Sequence, residues 1–252
     1  MDPSPWAWRP AWPEVAFVLV LSAAYVASVR RFPTPRWRRI AFASGIVLLL
    51  AVFVTPVQTL ATTYLLSAHL LQNVILAEWA PALVVLGIAP AAAALADLGV
   101  ARFLIRPLVA LPVWLATYAV WHMPVAYDAA LRHQGSVLLV EHACYFLAGL
   151  ALWWPIFRSE PLALPAGAKA AYLFAAFVLA SPIGLLLALI PSPIYDFYEG
   201  ARRIWGLSAF RDQQIAGILM SGAEAIVFFG LFAVFFLRFM TEEDKAGAPA
   251  SP

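Results

Sequence analysis

The sequence predicts an all-α integral membrane protein, a bundle of seven transmembrane helices with the N-terminus outside and the C-terminus inside. Three observations carry that expectation. Apolar residues make up 63% of the chain and charged residues only 12%, with a mean hydropathy of +0.84, whereas a soluble domain carries about 25% charged residues. The apolar residues fall into runs of about twenty, the length that crosses a bilayer as a helix. The cations gather in alternate links between those runs, as the positive-inside rule requires.

The stretch MDPSPWAWRPAWPE has neither the basic n-region nor the small-residue cleavage site of a signal peptide, so the first run, Trp12 to Val29, is expected to stay as a span. It ends at the cluster Arg30, Arg31, Arg36, Arg38 and Arg39. The second span runs from about Ile40 to Val57 and the third from Ala61 to about Leu86, followed by a loop holding Pro90, Asp97 and Arg102. The fourth covers Leu108 to Val120, the fifth Ser136 to Pro155, the sixth Ala168 to Ile190 and the seventh Gln213 to Leu237. Residues 1–11 are then a periplasmic segment, 12–240 the seven-helix domain and 241–252 a disordered cytoplasmic tail.

Orientation follows from the cations. With the N-terminus outside, the inner links and tail hold Arg30, Arg31, Arg36, Arg38, Arg39, Arg102, Arg106, Arg158, Lys169, Arg238 and Lys245, against Arg9, Arg132, Arg202, Arg203 and Arg211 outside. The excess on one side is anchored by the cluster beside the first helix, where the signal is strongest.

Several function classes fall away. A net charge of +2 offers nucleic acid no basic surface. The single cysteine, Cys144, rules out an internal disulfide and any paired-thiolate metal site. A retinal protein needs a lysine inside a late helix, and Lys169 lies at a helix boundary. No nucleophile and base pair stands out, so an enzyme is not expected. A transporter would show internal repeats or broken helices; no repeat is visible, although Pro81 and the turn Ser181 to Gly184 are candidate breaks. A haem-bearing electron-transfer protein survives only with histidines on facing helices. It and a small-molecule or metal transporter remain the alternatives.

What chemistry the chain carries is read from its histidines. Imidazole is costly in hydrocarbon and is kept there for a partner, an ion or a proton. His69 lies about two turns below the outer start of the third span, His122 at the outer end of the fourth, and His142 one to two turns below the outer start of the fifth. Asp212 opens the seventh span on the same side, with Met220 further along its face. All five fall in the outer half. Asn73 is stacked one turn from His69, Met123 follows His122 and Gln213 follows Asp212. Imidazole, thioether and carboxylate together suit copper first and zinc second. Each also has a packing role open to it: a membrane histidine bonded to a neighbouring helix is common, and Met220 and Cys144 pack as ordinary apolar residues. Glu78 and Glu224 are further intramembrane carboxylates, open to subunit contact, proton binding, snorkelling or a buried hydrogen bond.

The stretches AHLLQNVILAEWAPALVVLGIAP, WHMPVAYDAAL, EHACYFLAGLALWWP and WGLSAFRDQQIAGILM occur in that order. Over about Pro56 to Leu237 the chain resembles the multi-pass cytochrome c oxidase assembly factors of the CtaG type. The resemblance implies a seven-helix protein of the bacterial inner membrane that helps build haem–copper oxidases by handling copper. Its partners would be the lipid bilayer, the catalytic subunit of the oxidase and other assembly factors. The family's His-x-x-x-His on the third helix matches His69, with Asn73 in the second position. Its Trp-His-x-Pro matches Trp121, His122 and Pro124, its later helix histidine His142, its Asp-Gln pair Asp212 and Gln213, and its Met-Trp becomes Met220 and Ser221. An amide is a poor copper ligand, so the Asn73 departure leaves three imidazoles and weaker groups.

The charge asymmetry gives a topological prediction. A reporter fused after Lys245 should be active only in the cytoplasm, and one inserted between Ser192 and Arg211 only outside. The opposite pattern would invert the orientation.

Overall fold

The computed structural model describes residues 2–95, 99–158 and 163–247. All regular structure among them is helical. Six of the described helices are long and apolar enough to cross a membrane, or seven if one bent pair counts as a single span, so the chain is a multi-pass membrane protein as its composition predicts.

The helices α1 (Trp12–Arg31), α2 (Arg36–Val54) and α3 (Pro56–Thr63) come first. Proline sets their boundaries: Pro13 and Pro56 stand in first turns, where a missing N–H costs nothing, and α2 stops before Pro56 with Thr55 extended. After a break at Tyr64 and Leu65 a long rod follows, made of α4 (Leu66–Val74), a π-helical turn (Ile75–Trp79) and α5 (Ala80–Leu95). Pro81 explains the wide turn. It has no N–H for the Ala77 carbonyl and its ring crowds that carbonyl in a regular α-helix. The carbonyl accepts instead from Trp114 Nε1 at 3.3 Å.

Next come α6 (Gly99–Leu104), α7 (Pro107–Trp121), α8 (Pro124–Arg132), α9 (Val137–Phe157), α10 (Ala166–Leu189) and α11 (Asp196–Gly200). The last rod joins α12 (Ala209–Glu224), a second π turn (Ala225–Phe229) and α13 (Gly230–Gly247). The α4–α5 rod is the central pillar: 72% of its apolar window is buried, against 17% for α1 and 22% for the last rod. It packs against α2, α9 and α12, and α10 packs on the last rod. At one end the N-terminal segment, α3, α8 and α11 form a polar cap. Thr59 Oγ1 donates to Ala7 O (2.7 Å), Gln134 Nε2 to Thr62 O (2.8 Å) and Tyr198 OH to Ala61 O (2.5 Å).

Several boundaries differ from those expected of the sequence. The third span does not begin at Ala61, because the chain breaks before α4. The fourth is bent by 72° between α7 and α8, where Pro124 cannot continue the helix. Pro90 falls inside α5 rather than in a loop, while Asp97 lies outside the described residues. Pro182 is absorbed within a continuous α10. Helix α13 runs through Gly247, into the segment expected to be a disordered tail.

Glycine lets the rods approach. A Cβ on Gly149 would lie 2.4 Å from Ala77 O, and one on Gly217 would lie 2.4 Å from Gly184 O and 2.6 Å from Ala188 N, the small-residue crossing of membrane helices. A Cβ on Gly222 of the same helix would meet none of the described residues within 4 Å. Gly217→Ala should therefore destabilise the protein by about 1–3 kcal/mol through overpacking, while Gly222→Ala should be neutral or stabilise it by about 0.5–1 kcal/mol. Thermal unfolding of the two variants in detergent checks this; equal midpoints would refute the close crossing.

Candidate functional site

Beneath the cap lies a cluster of buried imidazole, carboxyl and phenol groups. His69, on the first turns of α4, is fully buried. Its Nδ1 is 3.0 Å from Tyr198 OH, whose own hydrogen goes to Ala61 O. The tyrosine oxygen must then accept, so the hydrogen-bond network assigns the His69 proton to Nδ1 and leaves a lone pair on Nε2. Burial first, and Asp212 nearby second, push the Tyr198 hydroxyl well above its ordinary range, which keeps it a neutral donor.

His69 Nε2 faces Glu141 Oε1 at 3.5 Å without a hydrogen bond to it. Glu141, on α9, is also fully buried. It accepts from Asn73 Nδ2 at 3.1 Å through Oε1, and its Oε2 has no partner among the described residues. A lone pair thus points at a carboxyl oxygen in a water-poor interior, an arrangement that a proton or a metal cation between the two resolves.

His122 closes α7. Its Nδ1 lies 2.8 Å from Tyr118 O and 3.3 Å from Tyr145 OH. A carbonyl can only accept, so Nδ1 carries the proton, and the buried Nε2 is bare and unpartnered among the described residues. Its backbone carbonyl accepts from Tyr195 OH at 3.0 Å. The rings of His69 and His122 both pack on Tyr127 of α8, with centroids 5.0 Å and 6.2 Å from it, and Tyr195 stacks on the same tyrosine at 4.0 Å. His69, His122 and Glu141 lie within electrostatic range of one another. The 72° bend between α7 and α8 turns α8 into the cap and brings Tyr127 against both histidines.

His142 does not join them. It follows Glu141 on α9 and so points about 100° away, toward α1. There its Nδ1 meets Glu14 Oε1 at 2.9 Å and its ring packs on Phe53 at 5.3 Å. The shared three-histidine site expected from the sequence is therefore not formed, and no group of three or more His, Cys, Asp or Glu among the described residues could hold one ion. The Nε2 of His142 is unpartnered like the others.

Two further ligands expected from the sequence have structural work instead. Asp212 Oδ2 accepts from Leu66 N (2.7 Å) and Oδ1 from Ser67 N (3.2 Å) and Ser67 Oγ (2.6 Å). It is the N-cap that α4 lacks locally, because Leu65 stands in the capping position. Gln213 ties the link before α11, accepting from Ile194 N at 2.9 Å and donating to Ser192 O at 3.0 Å. Met123 is 52% exposed, whereas Met220 is buried in the core four residues before Glu224. Asn73, one turn from His69, orients Glu141.

Sequence reasoning missed Glu141 as the partner of His69, Glu14 as the partner of His142, and the tyrosines Tyr127, Tyr195 and Tyr198. A glutamate in the middle of VLLVEHACYF was a usable signal; nothing in PIYDFYEG marked its tyrosines.

A family model described as cytochrome c oxidase caa3 assembly factor (Caa3_CtaG) matches residues 16–242. The chain belongs to that family. No curated protein and no solved structure matches it.

The cap gives a second stability prediction. Asp212→Ala strands the N–H groups of Leu66 and Ser67 and should cost about 1–2 kcal/mol, whereas Asp212→Asn, which keeps one acceptor oxygen, should cost less. Unfolding midpoints in detergent measure both, and no loss in either variant would remove Asp212 from the capping role.

Proposed function

We propose that this caa3 oxidase assembly factor acts in the bacterial inner membrane, with its cap on the periplasmic side, and receives copper as cargo through His69 and His122 with Glu141 beside them. The observation that carries the reading is the state of the imidazoles. Each gives its Nδ1 proton to a fixed acceptor and keeps Nε2 bare, buried and unpartnered among the described residues, which is how metal-binding histidines are oriented by the groups behind them. Imidazole suits copper and zinc, and the lack of a third converging donor among the described residues favours a loosely held, transferable ion over a structural zinc with four ligands. Family membership supplies the recipient: an oxidase under assembly, either its catalytic subunit directly or through other assembly factors.

The residues divide the work. His69 and His122 supply nitrogen donors from two elements. Glu141 supplies an anionic oxygen that offsets the charge of the ion, and Asn73 holds that carboxyl in place. Tyr127, from the cap, covers both histidine rings. His142 with Glu14 forms a separate pair facing α1.

Copper(I) competition with a chromophoric chelator tests this on the purified protein. His69→Ala and His122→Ala should each abolish binding, and Glu141→Gln should weaken it by about tenfold or more. His142→Ala should leave affinity within a fewfold of the wild type. Asn73→His adds an imidazole one turn from His69 and should tighten binding. The same order should appear in the yield of copper-replete oxidase in host membranes. Wild-type affinity in both the His69 and His122 variants would make these residues structural and leave only the assembly role.

A further inference from the structure

Two fully buried carboxyls have no part in the site beneath the cap. Glu78 stands on the π turn Ile75–Trp79 and Glu224 directly before the π turn Ala225–Phe229. Each is near the middle of its span, Leu66–Ile88 and Ala209–Lys245, and Glu78 is about 13 Å along the rod from His69 at 1.5 Å per residue. The two lie within electrostatic range of each other. Tyr118 OH donates to Glu224 Oε1, whereas both oxygens of Glu78 and Oε2 of Glu224 are buried without a partner among the described residues.

The contrast with the buried aspartates is informative. Asp212 caps α4, and Asp128 caps α11 by accepting from Asp196 N (3.2 Å) and Phe197 N (3.0 Å). The oxygens of those two aspartates are met by backbone N–H groups. Among the described residues Glu78 and Glu224 have no such donors beyond Tyr118, and a bare carboxylate in an apolar interior costs several kcal/mol or more, with a second like charge adding to it. Trp79 Nε1 and Trp153 Nε1 are likewise buried without a partner among the described residues, while other polar groups on the neighbouring helices have contacts of their own. On α7, Trp114 Nε1 is bound to Ala77 O. On α9, Tyr145 faces His122. On α2, Arg38 is bound to Leu86 O at 3.0 Å. On α10, Tyr172 is bound to Leu152 O, and Lys169 lies over Phe235, about three turns from Glu224. Ionisable groups at mid-membrane depth are retained for function, and π turns recur where function needs a residue out of helical phase.

We propose that Glu78 and Glu224, with the Tyr118 hydroxyl, form a proton-binding site in the middle of the third and last spans, the carboxyl pair holding at least one proton. A proton on Glu224 Oε2 relieves that orphan oxygen and leaves Oε1, which accepts from Tyr118, as the carbonyl. The site is separate from the copper reading and stands without it. A line of polar rings leads from it to the cap, since Tyr118 and Tyr145 have centroids 6.1 Å apart and Tyr145 OH reaches His122.

Infrared spectroscopy of the full-length protein in lipid bilayers, unlabelled and with 13C-glutamate, tests this. At neutral pH a protonated-carboxyl C=O band should be present, shift with 13C and in D2O, and disappear in the Glu78→Gln/Glu224→Gln double variant. Sodium or copper(I) should not remove it. Tyr118→Phe deletes only one hydroxyl and should shift the band upward by freeing the carbonyl, so the assignment holds even if the double variant fails to fold. The proposal is overturned by the lack of such a band in the wild type, by its persistence in the double variant, by its indifference to Tyr118→Phe, or by its loss on adding either cation.

Discussion

The backbone break before α4 is the constraint from which the polar interior follows. A helix that starts inside an apolar bundle exposes N–H groups that water cannot reach, each costing several kcal/mol if left bare. Leu65 cannot cap them, so the cap comes from Asp212 on α12, which binds Leu66 and Ser67. That contact fixes the central pillar against the last rod. His69 stands within the same first turn of α4, so its depth and facing are set by the same bonds. A helix running unbroken from Pro56 would carry His69 to another bearing and away from Glu141 and Tyr198.

The buried polar groups then fall into two kinds. Asp128, Asp212, Gln58 and Gln213 are engaged by backbone or side-chain groups; Gln58 Oε1, for example, accepts from Gln72 Nε2 at 2.7 Å. They make the irregular backbone tolerable. His69, His122, His142, Glu141, Glu78 and Glu224 each keep a buried atom without a partner among the described residues. Native interiors leave few such atoms, and each asks for an explanation. Apart from His142, which pairs with Glu14, they separate into a histidine and glutamate cluster beneath the cap and an acid pair further along the spans, which is the basis for proposing different ligands for them, copper and a proton.

Much of the fold was legible because hydrocarbon imposes it. The spans at Trp12, Val137 and Ala166 follow from apolar length alone, and proline marks most of the helix starts. What could not be read was tertiary compensation. Nothing local shows that Asp212 would cap a helix 146 residues away in sequence, and so its carboxylate looked like a ligand. The three histidines do not share a bearing, because adjacent positions on α9 diverge and Glu141 rather than His142 faces His69. Pro81 was legible as a perturbation, yet whether it breaks, kinks or widens a helix depends on Trp114 being present to take the freed carbonyl.

Whether His69 and His122 together hold copper is decided by X-ray absorption at the copper edge of the copper(I)-loaded protein. The expected spectrum is that of a low-coordinate copper with imidazole scattering from two rings, reduced to one ring in His122→Ala and unchanged in His142→Ala. Scattering dominated by sulfur, or a spectrum that changes with His142 and not with His122, would contradict a site built on those two imidazoles.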